Sequence, residues 1–330
     1  MDSFLVSRRR AALALATFTT LGGFASWAPS AQAAPPSLAE LRIGFQKGSL
    51  NLALLKSLAL LDKPLAATKV TWVEFPAGPQ LLEALAVGSV DFGATGDSPP
   101  VFAQAAGKDL FYVGAEPPKP DSSAILSRPE AALKTLADLN GRRVAVQRGS
   151  SAHFLLVRAL AKANLRWTDI VAVYLAPADA RAAFERGSVD AWAIWDPYYA
   201  AAEIDGHVQV LATSRGLTGN NTFYLASRAV AQREGVLRAL FAALTEADAY
   251  GQSNRKETAQ RYAEYAGLSL ATVHRFLARR QPSPVGPLTP LLIAEQQQVA
   301  DAFATLGLIP KPIRVADIVW QPGQALAQLR

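Results

Sequence analysis

Residues 76–97, PAGPQLLEALAVGSVDFGATGD, and residues 177–196, PADARAAFERGSVDAWAIWD, are two versions of one pattern. Gly88-Ser89-Val90-Asp91 returns as Gly187-Ser188-Val189-Asp190, 99 residues later, and six residues after each Asp comes another, Asp97 and Asp196. Each quartet closes a short apolar segment that begins at a Pro, and a run rich in β-branched residues precedes it: VTWVEF from Val70, IVAVYL from Ile170. By periodicity both copies read as strand–helix–strand units. Two matching α/β halves predict a protein that closes around something held between them.

Outward from this pair the same rhythm continues. Leu41–Phe45 reads as a first strand, and Gln46-Lys47-Gly48-Ser49 turns into an amphipathic helix expected over 50–61. Strands follow over 69–75, 90–95 and 111–115, with a helix from Gly96-Asp97-Ser98-Pro99-Pro100 through Ala106. This alternation predicts a largely parallel, doubly wound sheet. Glu116-Pro117-Pro118-Lys119-Pro120 breaks it with a stiff extended segment, a crossover between lobes. The rhythm restarts with a short strand at Ile125-Leu126, a strand over 143–147 and a helix from Gly149-Ser150-Ser151 through Ala163. Strands are expected at 191–195, 208–212 and 223–227, then mostly helix over 234–306 with a loop at 281–289. A second crossover near 220–222 makes the first lobe discontinuous, 34–121 plus 223–330, around a second lobe at 122–222.

Composition narrows the chemistry. The chain has 330 residues, half of them apolar and 18% charged, with a net charge of +6. The basic residues are dispersed and not interleaved with aromatics, which argues against nucleic acid and suits a small anion. There is no Cys, so thiol nucleophiles, disulfides and Cys metal sites are excluded. His153, His207 and His274 are far apart and lack ligand spacing, so neither a metal nor a cofactor is expected. Residues 1–33 read as an export signal: Arg8-Arg9-Arg10, a mildly apolar stretch over 11–28, and Ala31-Gln32-Ala33 as cleavage site. Ser7-Arg8-Arg9 leans toward the twin-arginine route, with the general secretory route left open. No Cys follows the cleavage site for lipid anchoring, so the expected product is a soluble periplasmic protein.

Four strand-to-helix turns stand out: 46–49, 96–99, 149–151 and 195–197. In open α/β sheets ligands bind beyond the carboxyl ends of the strands. Helices starting there offer unpaired N–H groups to an anion, and small hydroxyl residues add donors. Asp97 and Asp196 also fit helix N-caps ahead of Pro, and Ser150 and Ser151 fit caps as well as pocket donors. Trp192 and Trp195 alternate along one strand; Trp195, beside the turn, is the one expected in the cleft. His153 sits just inside a helix start, where a neutral imidazole could donate, and Arg215 is a candidate counter-charge. No G-x-S-x-G, P-loop or H-E-x-x-H motif is present, which disfavours an enzyme.

These residues also carry a family resemblance. WVEFPAGPQLLEAL from Trp72, TGDSPPVFAQAAG from Thr95, YVGAEPPKP from Tyr112, PADARAAFERGSVDAWAIWDPYYAAA from Pro177 and FYLA from Phe223 resemble the aliphatic-sulfonate-binding proteins of bacterial ABC importers, a group that includes taurine- and nitrate-binding proteins. The resemblance implies a type II periplasmic-binding-protein fold: two doubly wound α/β lobes, two crossovers and a ligand cleft between. It implies capture of an alkanesulfonate for delivery to an ABC permease; nothing in the sequence supports a dimer, and a monomer is expected. It further implies a sulfonate near Gln46, Gly96, Asp97, Ser98, Ser151, His153, Trp195 and Asp196. Phe154 stands where many relatives carry a polar residue, so a cleft-facing Phe154 would make the tail pocket more apolar. Taurine, nitrate or another small anion is the alternative ligand. An enzyme of the same fold, a desulfinase, would need the nucleophilic Cys this chain lacks.

Overall fold

The computed structural model describes residues 38–322; the expected signal segment, residues 1–33, lies outside that range. Two five-stranded sheets form the frame. The chain first lays down β1 (Glu40–Phe45), α1 (Leu50–Ser57), β2 (Lys69–Glu74), α2 (Gly78–Ala86), β3 (Phe92–Gly96), α3 (Ser98–Ala105) and β4 (Phe111–Glu116). It then crosses to build β5 (Ser123–Ser127), β6 (Arg143–Val146), α4 (Ser151–Lys162), β7 (Val171–Tyr174), α5 (Pro177–Glu185), β8 (Ala191–Trp195), α6 (Tyr198–Ile204) and β9 (Gln209–Thr213). After a second crossing come β10 (Thr222–Ala226) and the helices α7 (Arg228–Ala231), α8 (Glu234–Ser253), α9 (Arg255–Ala266), α10 (Leu270–Ala278) and α11 (Pro290–Thr305).

The strand orders, β2-β1-β3-β10-β4 and β7-β6-β8-β5-β9, are one diagram drawn twice. In each sheet four strands run parallel. The fifth, the first strand laid down after a crossing, runs antiparallel between two of them: β10 between β3 and β4, β5 between β8 and β9. The sequence rhythm foretold the parallel strands but not this exchanged one. Even the irregularity repeats, a register shift at Tyr224/Leu225 in β10 and at Ile125/Leu126 in β5.

The repeated quartet now has a physical account. Gly88 and Gly187 sit just past α2 and α5 with φ of 73° and 75°, where a left-handed residue ends a helix. Gly88 N–H donates to the Leu85 carbonyl (3.1 Å) and Ser89 N–H to that of Ala84 (2.8 Å); Gly187 and Ser188 repeat both bonds onto Phe184 and Ala183. Val90 and Val189 fill the core. Asp91 Oδ2 accepts the backbone N–H of Arg42 at 2.9 Å, and Asp190 Oδ2 that of Arg143 at 2.8 Å, so each Asp ties the returning chain to a strand start.

Helix α1 is shorter than its apolar pattern suggests. It stops at Ser57, and the chain turns through Ala59 in the left-handed region, φ 53°. Around the first sheet one core gathers Ile43, Phe92 and Tyr224 with α1, α8, α9 and α10. A second joins Leu81, Val101 and Phe303 to Phe154 and Val157 of α4, so the core itself spans both lobes. Trp192 is buried against Phe184 in the second lobe.

Candidate functional site

Strands β1, β3 and β8 end their carboxyl edges at one cavity of about 80 Å³. Its wall takes Gln46, Gly48 and Ser49 from the turn before α1, Gly96 from the end of β3, Ser150 and Ser151 from the start of α4, and Trp195 and Asp196 from the end of β8. The lobes touch here. Gly96 has no side chain, and a Cβ at that position would fall on Ser151 Oγ. That hydroxyl accepts the Asp97 backbone N–H at 3.2 Å, a direct bond between lobes. At Gly48 a Cβ would lie 2.9 Å from the Asp196 carbonyl, a second close approach. Gln46 is held by its own amide, Nε2 donating to the Ala94 carbonyl at 3.0 Å. Ser150 caps α4, accepting the His153 N–H at 3.3 Å.

Further lining comes from the crossovers with their flanking strand ends and from the chain after α10: Glu116, Lys119, Ser122, Asn220, Asn221, Thr222 and Arg280. Lys119 Nζ donates to Glu116 Oε2 (3.1 Å) and Thr222 Oγ1 (2.6 Å), while Arg280 Nη2 reaches Glu116 Oε2 at 3.4 Å. Burial raises the Glu116 pKa, but the adjacent Lys119 and Arg280 and the Tyr224 hydroxyl outweigh it and hold the carboxylate below its usual range. Burial draws the Lys119 ammonium down, against the pull of Glu116. Asp196 accepts the Ala200 N–H and pairs with Arg279 at 2.9 Å, yet burial dominates and lifts its pKa to about 6. Asn221 Oδ1 and Ser122 Oγ are buried without a partner in the protein. Among the described residues no group of acidic, His or Cys side chains is placed to hold a metal ion, and no helix is long and apolar enough to cross a membrane.

The NMT1-like family profile matches residues 34–267. The alkanesulfonate-binding protein SsuA from Xanthomonas axonopodis pv. citri, solved bound to MOPS, is 50% identical and superposes with a TM-score of 0.83, covering 87% of this chain and 99% of that one. The periplasmic aliphatic sulphonate binding protein SsuA from Escherichia coli superposes with a TM-score of 0.81 over 88% of this chain and 94% of that one. Its full sequence is 49% identical over 305 residues, 92% of this chain and 96% of the relative. The chain belongs to the NMT1-like family, among its aliphatic-sulfonate-binding proteins.

Within this family member the residues singled out by sequence separate into two groups. Gln46, Gly96, Ser151, Trp195 and Asp196 line the cavity. Asp97, Ser98 and His153 stand outside the lining. Asp97 does not cap α3: its own backbone is helical, and its Oδ1 accepts the Ser98 hydroxyl at 2.9 Å, which engages both side chains with each other. Burial raises the Asp97 pKa against the hydrogen bonds from Ser151 and Ser98. His153 is neither on the surface nor in the cavity. It packs among Phe102, Trp167, Tyr174 and Phe303, and its Nδ1 accepts the Gly149 N–H at 3.2 Å. Burial, with Arg148 nearby, lowers its pKa to about 3. Phe154 packs on Phe303 and faces a separate crevice with Arg158 and Glu295. Arg215 is an exposed partner of Asp121, 3.0 Å from Nε to Oδ1, and does not reach the cavity.

Sequence reasoning missed Glu116, Lys119 and Arg280. The first two sit in the Pro-rich segment that was read for stiffness alone, and their signal was two opposite charges three residues apart on a crossover.

Proposed function

We propose that this chain is an extracytoplasmic solute-binding protein that captures aliphatic sulfonates between its lobes and delivers them to an ABC permease. The observation that carries this is the near-complete, half-identical match to two sulfonate-binding proteins. A cavity rich in donors and lined by buried cations is the physical counterpart. A sulfonate bears one negative charge at physiological pH and offers three acceptor oxygens, so it needs donors and no base. Ser151, the free N–H groups at the starts of α1 and α4, and Gln46 supply them beside Gly96, at roughly 1.5–3 kcal/mol per well-made bond to charge. Trp195 forms the apolar wall for the alkyl tail, worth about 0.8 kcal/mol per buried methylene.

Binding draws the lobes, 34–121 with 223–330 and 122–222, together about the two crossovers, and the permease reads the closed form. The protein acts as a monomer in the periplasm, freed of residues 1–33 after export by the twin-arginine or the general secretory route. Taurine is disfavoured because its ammonium needs a free carboxylate. Glu116 is already paired with two cations and Asp196 with Arg279.

Titration calorimetry on protein unfolded and refolded to remove carried-over ligand tests this. The expected result is micromolar or tighter binding of linear alkanesulfonates, about −8 kcal/mol, strengthening with tail length. Binding of nitrate, sulfate or taurine alone would overturn the substrate while leaving the fold.

A further inference from the structure

The cations that line the cavity are not on the strand-to-helix turns. They lie on the first crossover and just beyond α10. Lys119 is 8% exposed and Arg280 5%. Both lean on Glu116, which already takes Asn51 Nδ2 at 3.1 Å and the Tyr224 hydroxyl at 2.8 Å. One carboxylate is thus shared between two cations. Arg280 Nε is buried with no partner in the protein. Lys119 engages Glu116 and Thr222, and its ammonium has a third N–H to give. Its backbone is pinned as well: Lys119 N–H donates to the Gly219 carbonyl at 3.0 Å, and Asn220 Nδ2 donates to the Lys119 carbonyl at 2.9 Å.

Asp196, the other carboxylate in the lining, has its own cation in Arg279. Asp97 lies behind the wall, outside the lining, its Oδ1 bonded to the Ser98 hydroxyl. Arg279 also pairs with Glu203, which Arg275 shares, so those two cations and two carboxylates balance; Lys119 and Arg280 share the single carboxylate of Glu116, an excess of one positive charge. A cation out of water without an anion is costly, and an arriving anion removes that cost.

Resting on the sulfonate-capture reading, we infer that Lys119 and Arg280, tethered by Glu116, are the counter-charge for the ligand head group. Their excess of one positive charge makes the cavity select monoanions over neutral and dianionic molecules of similar shape. The helix starts at Ser49 and Ser151 orient the oxygens; the crossover cations read the charge.

The test is calorimetry, direct or by competition, with butanesulfonate, the neutral butyl methyl sulfone and sulfate. Arg280→Gln should weaken butanesulfonate by about 10- to 150-fold, the worth of one hydrogen bond to charge. The sulfone should be unchanged, so that the preference between the two collapses. Lys119→Gln is the second variant and should act in the same direction. Glu116→Gln keeps an acceptor for Asn51 and Tyr224 and raises the excess to two. Sulfate should then gain about tenfold or more on butanesulfonate. Equal losses of sulfonate and sulfone in both cation variants would mean a merely structural role and overturn the inference. So would butanesulfonate affinity left unchanged in both. A wild-type protein that ignores butanesulfonate altogether would refute the sulfonate reading and this inference with it. Binding by wild type with no charge dependence in the variants refutes the inference alone.

Discussion

His153 should make the protein acid-sensitive, and the size of the effect follows from its surroundings. The imidazole is fully buried among four aromatic rings, its Nδ1 is occupied by the Gly149 N–H, and its pKa is about 3. In the unfolded chain it titrates near 6.5. Between those values the unfolded chain binds the extra proton, so stability falls as pH drops through 6.5 and is fully present above it. At about pH 5 the unfolded chain gains about 2 kcal/mol from this protonation and the folded chain almost nothing. His153→Asn removes the titration, and its Oδ1 can still accept the Gly149 N–H. The gap in unfolding free energy between wild type and variant should therefore shift by about 2 kcal/mol, in favour of the variant, between about pH 8 and about pH 5. Urea unfolding followed by Trp fluorescence measures it, and groups common to both proteins cancel in the comparison. A gap that stays constant within about 0.5 kcal/mol would mean that His153 titrates alike in both states, and the sealed-imidazole argument would fail.

Other consequences are simpler. Trp195→Ala should cost about 1–3 kcal/mol of affinity for a long-tailed sulfonate and much less for methanesulfonate, with thermal stability little changed; calorimetry reads both. Gly96→Ala puts a methyl group onto Ser151 Oγ; if this holds closure back by about 1.4 kcal/mol, apparent affinity falls about tenfold, again by calorimetry. Gly88→Ala, at φ 73° in open space, should cost about 1 kcal/mol in urea unfolding. Gly187→Ala should cost more, because its Cβ also meets Arg128 at 3.0 Å.

The parts of the fold readable in sequence were those fixed locally. A Gly past a helix end, a core Val and an Asp that reaches back to a strand start give a four-residue signature, and it appeared twice. The exchanged strands β5 and β10 carry no such signature. Nothing in SAILS or TFYLA says that its neighbours will run antiparallel; that depends on where the crossover releases the chain. The site divided the same way. Gln46, Gly96, Ser151 and Trp195 stand at turns that the strand–helix rhythm locates. Arg280 reaches Glu116 across 164 residues, a pairing no local pattern contains. His153 was read as a cleft donor from its helix-start position, whereas the structure packs it under Phe303 of α11, outside the cavity lining.

The repeated diagram bears on how an asymmetric ligand could be held. In the sheet register Gly96 lies opposite Thr222, and Trp195 lies opposite Ser123; each is the last residue of its parallel strand facing the first residue of the exchanged one. Gly96 and Trp195 are thus the same position in the two lobes. One carries no side chain and lets Ser151 cross from the other lobe; the other carries the largest side chain and lines the cavity as a wall. The turns that follow β1 and β6 differ in a related way. Gln46-Lys47-Gly48-Ser49 and Gln147-Arg148-Gly149-Ser150 match in type, but Gln46 lines the cavity and Gln147 does not. Gly48 approaches Asp196, whereas Gly149 packs on the Phe102 ring. A frame built twice supplies two equivalent rims, and the unlike residues at like positions make the two sides of the cavity differ, which the proposed capture of a charged head and an apolar tail requires.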